Sequence, residues 1–460
     1  MSREVPLVPG QPFLGSLKEL REDVLAAYLK AQSTVGDVVR FQAGPPGMRT
    51  EVYGAFSPEA VRQILAGQAP AFRKDNPTYT EIRETVGNGL LTSQDAEYAF
   101  QRRMVQPLFT PKRVGGYASV VHAEAMRTLD AWKTAPEATT DVGADTAEFA
   151  LRVVGRVLFG TDTDTAADVI RRCFPVIGES VLRRGLSPVR VPRTWPTPAN
   201  RRTEAARREL YAVCDAIIER RIAAGEREER EDMISLLLRA RDEDGAALDA
   251  DAVRDQILIF LLAGHETTAT TLAYALHLLA AHPEVQAAAR AEVDAVLGDR
   301  PAGAADLDAL PLLGRIVKET TRLYPAVAIM GRRCVTDTEV DGHRIPAGAD
   351  VYVTPWVTHR RPDLWERPEE FHPDHFLPEA EATRPRHAWF PFGAGPRACV
   401  GARFSTLEIT VALATVLRHT ALHAVAPAGA PLPPADLGMA LRPAGPLRIR
   451  TTARTQEAAA

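Results

Sequence analysis

The chain has 460 residues, 45% of them hydrophobic, enough to bury a large core. A net charge of −4 and a pI near 6.3 argue against a dedicated nucleic-acid binder, whose surface would be basic. The four cysteines, Cys173, Cys214, Cys334 and Cys399, lack C-x-x-C spacing, so neither a disulfide scaffold nor a structural zinc site is indicated, and a reducing, cytoplasmic setting is expected.

The N-terminal "MSREVPLVPGQPFLGSL" has no apolar run long enough for a signal peptide or anchor. A helix is predicted over 21–34, then strands over "DVVRFQAG" and "TEVYGAF", with Gly-Pro-Pro-Gly at 44–47 as the turn. Ser57 and Pro58 open a helix that runs to Ala66, and "EYAFQRRMVQPLF" follows as another. Further helices are predicted at 143–160, 204–223, 251–281, 284–297 and 309–323. The arginine-rich run 183–202 reads as a solvated loop and helix edge. The most apolar stretch, 257–280, carries His265, Glu266 and four threonines at its middle, which favours a buried helix over a membrane span of about 20 apolar residues. Asp341-Gly342 signals a hairpin, 361–391 an ordered Pro-rich meander, and Ala402–His419 a helix. A Pro-rich β-like end and a flexible tail at 451–460 complete the chain. Without an internal repeat or Gly/Ser linker, the whole of 1–460 reads as one helix-rich, mainly α (α+β) domain with small sheets.

Three separated motifs carry chemistry. In "FGAGPRACVGARF", 392–404, Gly393, Gly395 and Gly401 permit close backbone approach, and Cys399 falls at the positive end of the following helix. That position and nearby N–H donors favour thiolate over thiol. A nucleophile would need a general base, and no histidine neighbours it; a dinucleotide fingerprint would need a βαβ frame, and none precedes it. A buried packing cysteine is the plain alternative. Thiolate plus Arg397 suits haem, with sulfur on iron and guanidinium on a propionate, and Phe392 excluding water. "AGHETT", 263–268, places an acid and an alcohol, Glu266 and Thr267, inside an apolar helix, with Ala263-Gly264 leaving room beside them. It reads either as a kinked core helix with a satisfied polar pair or as a proton-delivery site. "KETTRLYP", 318–325, puts Glu319 and Arg322 on one helix face in an apolar frame, a buried structural pair. The same E-x-x-R spacing at Glu59/Arg62, Glu204/Arg207 and Glu381/Arg384 reads as surface pairs of little weight.

Together and in this order the motifs resemble the cytochrome P450 family along nearly the whole chain. "FGAGPRACVG" matches its F-x-x-G-x-R-x-C-x-G haem-ligand loop, "AGHETT" its oxygen-activation segment, and Glu319/Arg322 its E-x-x-R pair. "FHPDHF", 371–376, is similar to its meander motif F-x-P-x-R-F, with His375 where an arginine usually completes a triad with Glu319 and Arg322. Its W-x-x-x-R helix pattern stands here as Tyr98-x-x-x-Arg102. The resemblance implies a haem b monooxygenase. Cys399 would ligate the iron; Arg397, Arg102, Tyr98 and Arg332 would reach propionates; Phe392, Gly393 and Ala263 would line the cofactor. Glu266 and Thr267 would deliver protons. Substrate contacts would come from 75–95, 170–200, Leu262, Val327, Ala328, Ile329, Met330 and Met439, around a medium-sized apolar molecule of secondary metabolism. The outcome would be hydroxylation, epoxidation or oxidative coupling. O₂ and two electrons would be consumed, the latter from NAD(P)H through a ferredoxin or flavodoxin and its reductase. These would dock on a basic face containing Arg103, Lys112, Arg113 and Arg403. The protein is expected to be monomeric, cytoplasmic and free of nucleic acid and membrane. A haem-thiolate ligand binder or electron carrier is the alternative, and a haem-free cysteine-nucleophile enzyme a second.

Overall fold

The computed structural model describes residues 3–160, 164–185, 191–223, 232–241, 245, 247–427 and 429–454. The longer helices are α1 Val24–Thr34, α2 Pro77–Val86, α3 Asp95–Val105, α4 Ala118–Trp132, α5 Val142–Phe159, α6 Asp164–Gly185, α7 Pro198–Ala223, α8 Ala250–Ala281, α9 Pro283–Leu297, α10 Pro311–Leu323 and α11 Ala402–His419. Several begin at side-chain caps: the oxygens of Asp23, Asn76, Asp141 and Asp249 each accept from a first-turn N–H, satisfying a donor that has no intrahelical partner.

The strands are β1 Val38–Ala43, β2 Thr50–Ala55, β3 Phe72–Arg73, β4 Thr139–Asp141, β5 Met330–Cys334, β6 Thr338–Val340, β7 His343–Ile345, β8 Asp350–Val353, β9 Thr420–Ala424, β10 Ala435–Leu437, β11 Leu441–Pro443 and β12 Arg448–Ala453. They form a five-stranded sheet in the order β1-β2-β8-β5-β3, a three-stranded sheet β4-β12-β9, and the hairpins β6-β7 and β10-β11. In the first sheet only β2 and β8 pair in parallel.

α8 is the axis of the molecule. Its 32 residues span about 48 Å. It is apolar nearly all round, and such a helix is stable only when surrounded. It packs most extensively along α5 and also meets α7, α10 and α11. Among the described residues no helix is long and apolar enough to cross a membrane.

The predicted helices at 251–281, 284–297, 309–323 and 402–419 are present to within two residues at each end, and Asp341-Gly342 forms the β6–β7 turn. Three expectations change. Residues 451–453 are not a tail: they pair in β12 with Thr420–Leu422 of β9, while 455–460 lie outside the described residues. Within 183–202, residues 186–190 also lie outside them, but Arg184 and Arg193 are not merely solvated. Arg184 Nε donates to buried Glu81 of α2 at 2.8 Å, Arg193 binds the same carboxylate, and the three tie α6 to α2. Glu381 and Arg384 form no pair: Glu381 takes Lys318, and Arg384 stacks on Trp365, 3.8 Å from its centroid.

Candidate active site

The loop before α11 is shaped by contacts that its sequence anticipates. Gly395 has φ +66°, and a Cβ there would lie 2.1 Å from the carbonyl oxygen of Leu65, so only glycine lets the loop rest on the 63–67 turn. The Cys399 N–H donates to the Phe392 carbonyl at 2.9 Å, closing the loop, and the N–H groups of Gly401 and Ala402 point to its sulfur. That sulfur is accessible at its surface although protein encloses it in depth. The expected balance toward thiolate is corrected in one respect. Burial outweighs the two N–H donors and the charges of Lys74 and Arg102, and holds the thiol above its ordinary value. The protein alone therefore does not ionise this cysteine; a metal cation on the sulfur would.

Among the described residues, cations without acidic partners gather near this sulfur. Arg102 donates to the Tyr98 hydroxyl at 2.9 Å and the Ala398 carbonyl at 3.1 Å. Arg397 lies 3.6 Å from the centre of the Tyr98 ring and donates to the carbonyls of Ser93, Leu91 and Leu90, with its Nε left unpaired. Tyr98 donates to the Pro396 carbonyl at 2.7 Å, so its hydroxyl orders the two arginines instead of pointing outward. Arg333 is engaged by Asp350, whereas Arg332, only 4% exposed, donates to the Gly331 carbonyl. Lys74 is also buried, and burial with the nearby Arg332 and Arg397 charges pushes its ammonium well below the usual value. Burial likewise lowers Arg397, to about 10. Among the described residues none of these four cations has a carboxylate. Buried, uncompensated positive charge beside a soft sulfur donor fits a dianionic haem, whose two propionates would neutralise it. Lys74 escapes sequence reasoning: in "FRKDNP" nothing separates it from a surface lysine.

On α8 the helix runs unbroken through "AGHETT". Thr267 Oγ1 donates to the Ala263 carbonyl at 2.8 Å, one turn back. The room beside this pair comes from Ala263, which is exposed, and not from Gly264: a Cβ on Gly264 would meet Val154 of α5 at 3.0 Å. Glu266 is enclosed, and burial raises its carboxyl to about 7 against the opposing charge of Arg442. It faces a cavity of about 610 Å³ bounded by α5, α6, α8 and the β10–β11 hairpin, which Phe174 and Met439 also line.

Glu319 and Arg322 are both 0% exposed and paired twice, at 2.7 and 2.8 Å. Arg322 also donates to the carbonyls of His359, Pro368 and Glu370, and His359 Nε2 accepts from Phe390 N–H at 3.0 Å. The pair is thus linked to the start of the cysteine loop. His375 Nδ1 lies 3.1 Å from Glu319 Oε1, and Nε2 lies 2.5 Å from the Glu366 carbonyl. Both ring nitrogens face acceptors, which only the doubly protonated ring satisfies in full.

A sequence profile described as "Cytochrome P450" matches residues 5–449. The chain belongs to the cytochrome P450 family. Its membership makes it a haem-dependent monooxygenase that draws on O₂ and redox partners. This P450 is 34% identical to cyclooctatin synthase of Streptomyces melanosporofaciens, over 92% of the chain and 90% of that relative. It is also 34% identical to pentalenene oxygenase of Streptomyces avermitilis, over 93% of each. Cyclooctat-9-en-7-ol 5-monooxygenase of Streptomyces melanosporofaciens is 33% identical, over 91% of the chain and 89% of that relative. The crystal structure of the cytochrome P450DA haem domain superposes with a TM-score of 0.86 at 26% identity, covering 99% of each chain.

The P450's expected substrate contacts separate by burial. Ala328, Met330 and Leu262 are packed into the core, Val327 and Ile329 are half-buried against it, and Met439 lines the cavity beside Glu266. Phe392 sits edge-on to Trp389, and Gly393 adopts φ +71° beside the Met330 sulfur.

Proposed function

We propose that this P450 is a one-domain, monomeric, cytoplasmic enzyme that oxidises an unsaturated cyclic, largely apolar molecule of terpenoid type. The relatives' names, pentalenene oxygenase and cyclooctat-9-en-7-ol 5-monooxygenase, support that class. When bound, haem supplies the activation of O₂. Cys399 would hold it by its sulfur, while Arg397, Arg102, Arg332 and Lys74 would hold its propionates. Glu266 holds a proton near neutral pH and passes it toward the Thr267 hydroxyl, whose own bond to Ala263 fixes its lone pairs. Electrons come from NAD(P)H through a ferredoxin or flavodoxin and its reductase.

The observation that carries the reading is the paired acid and alcohol on a helix that is otherwise apolar. Purified holoenzyme with a surrogate ferredoxin, reductase and NADPH is offered pentalenene and cyclooctat-9-en-7-ol. A spin-state shift on binding and an oxygenated product by mass spectrometry are expected, both absent in Cys399→Ala. Turnover by Cys399→Ala, or NADPH use indifferent to every such substrate, would overturn the proposal.

A further inference from the structure

The loop between α2 and α3 has no regular structure, yet Leu90, Thr92 and Ser93 in it are buried. A buried loop must place its backbone polar groups on specific partners. Two of its donors go to α8. The Asn88 N–H donates to Asp255 Oδ2 at 2.8 Å, and the Leu90 N–H donates to Gln256 Oε1 at 3.1 Å. A backbone N–H can only donate, so the Gln256 amide, 1% exposed, is fixed with its oxygen toward the loop. Glycine lets the loop lie this close. A Cβ on Gly87 would stand 2.0 Å from Asp255 Cγ, and one on Gly89 would stand 2.8 Å from Ile259 Cγ1.

Three carbonyls of the same loop go to Arg397. Ser93, Leu91 and Leu90 accept from its guanidinium at 2.8, 3.2 and 3.4 Å, and its buried Nε is left without a partner. The Leu90 residue thus binds Gln256 through its N–H and Arg397 through its carbonyl. Further bonds stiffen the span between them. Thr92 Oγ1 lies 3.1 and 3.2 Å from the carbonyls of Gly87 and Gly89, and Gln101 of α3 donates to the Asn88 carbonyl at 2.9 Å. A buried cation with no carboxylate takes its orientation from the dipoles around it, and here most of those dipoles belong to one loop.

We infer that Gln256, supported by Asp255, is a positioning residue for Arg397. From α8, about two turns before Ala263, the pair sets the shape of the 87–93 backbone, and that backbone aims the free Nε at a haem propionate. Hydrogen bonds and charge around the cofactor tune both its retention and its reduction potential, so each reports how well Arg397 is aimed. The inference rests on the assignment of Arg397 to a propionate.

Gln256→Met removes the acceptor and keeps the length of the side chain. Holoenzyme with this change should lose haemin to apomyoglobin at least threefold faster than wild type, and its midpoint potential should fall. Gln256→Glu, which keeps an oxygen at that place, should restore both. The double variant Gln256→Met/Arg397→Lys should lose haemin no faster than Arg397→Lys alone, because the two residues act as one unit. A packing role for Gln256 predicts a lowered melting temperature, an unmoved potential and loss factors that multiply; that outcome overturns the inference. If Gln256→Met does not fold, Gly89→Ala pushes the same loop off α8 and enters the same comparison with Arg397→Lys. Wild-type haemin loss from Arg397→Lys overturns the propionate assignment and this inference with it. Fast loss from Arg397→Lys beside wild-type retention in Gln256→Met overturns the inference alone.

Discussion

Burial and one cation set the proton affinity of Glu266, and the result falls where a proton donor is useful. Enclosure raises the carboxyl to about 7 while Arg442 pulls it down; neighbouring His265, pushed by burial to about 4, stays neutral and contributes no charge. The raised value has a definite sign. Between the ordinary value of 4.5 and about 7 the folded protein keeps a proton that the unfolded chain has released, so this group's stabilisation falls as pH rises through that window and is level above it. Coupled oxidation should likewise fall on the alkaline side with a midpoint near 7. In Glu266→Gln the coupling should be low at every pH and that window of melting temperature flattened. Product-to-NADPH ratios and thermal melts across pH measure both. His375 is the other residue whose character comes from its partners. It fills the arginine's place because Glu319 and the Glu366 carbonyl both lie within hydrogen-bond distance of its ring nitrogens. Arg384, donating to the His375 carbonyl at 2.8 Å, adds positive charge nearby. His375→Leu leaves buried Glu319 with one partner fewer and should cost on the order of 3 kcal/mol and haem retention, read by denaturation and Soret intensity. His375→Arg should retain both.

At the scale of elements, legibility followed the strength of the local signal. α8 and α11 were readable to the residue or nearly so because their apolar runs are long and their caps and loop glycines are explicit. α6 was hidden by Pro175 in its interior, which normally marks a break, and by the arginines at its end. α2, "PTYTEIRETV", is rich in β-branched residues and has little apolar periodicity; Asn76 capping and the Glu81–Arg184–Arg193 contacts hold it. Those contacts join residues more than 100 positions apart, which no local pattern encodes. The same limit applies to the site. Cys399, Glu319 and Arg322 stand in motifs dense enough to read. The buried state of Lys74 exists only once the chain has folded around it.

At the scale of the whole molecule, the anionic balance of the chain conceals a local surplus of the other sign. Arg103, Lys112 and Arg403 are exposed and Arg113 is half-buried. They belong to α3, the 111–116 helix and the first turn of α11, segments that meet where Tyr117 packs edge-on to Phe404 and where Phe109 approaches Gly401. A basic face there favours an acidic electron donor, and rim charges act chiefly on encounter rate, an effect that ionic strength screens over about 10 Å at 0.1 M salt. Lys112→Glu with Arg403→Glu should therefore slow reduction by an acidic ferredoxin at least tenfold at low salt. The difference from wild type should shrink as salt rises, and reduction by dithionite should be unchanged. Stopped-flow traces of the reduced CO-bound spectrum across a salt series measure all three. Equal ferredoxin rates at low salt would move the docking face elsewhere on the molecule.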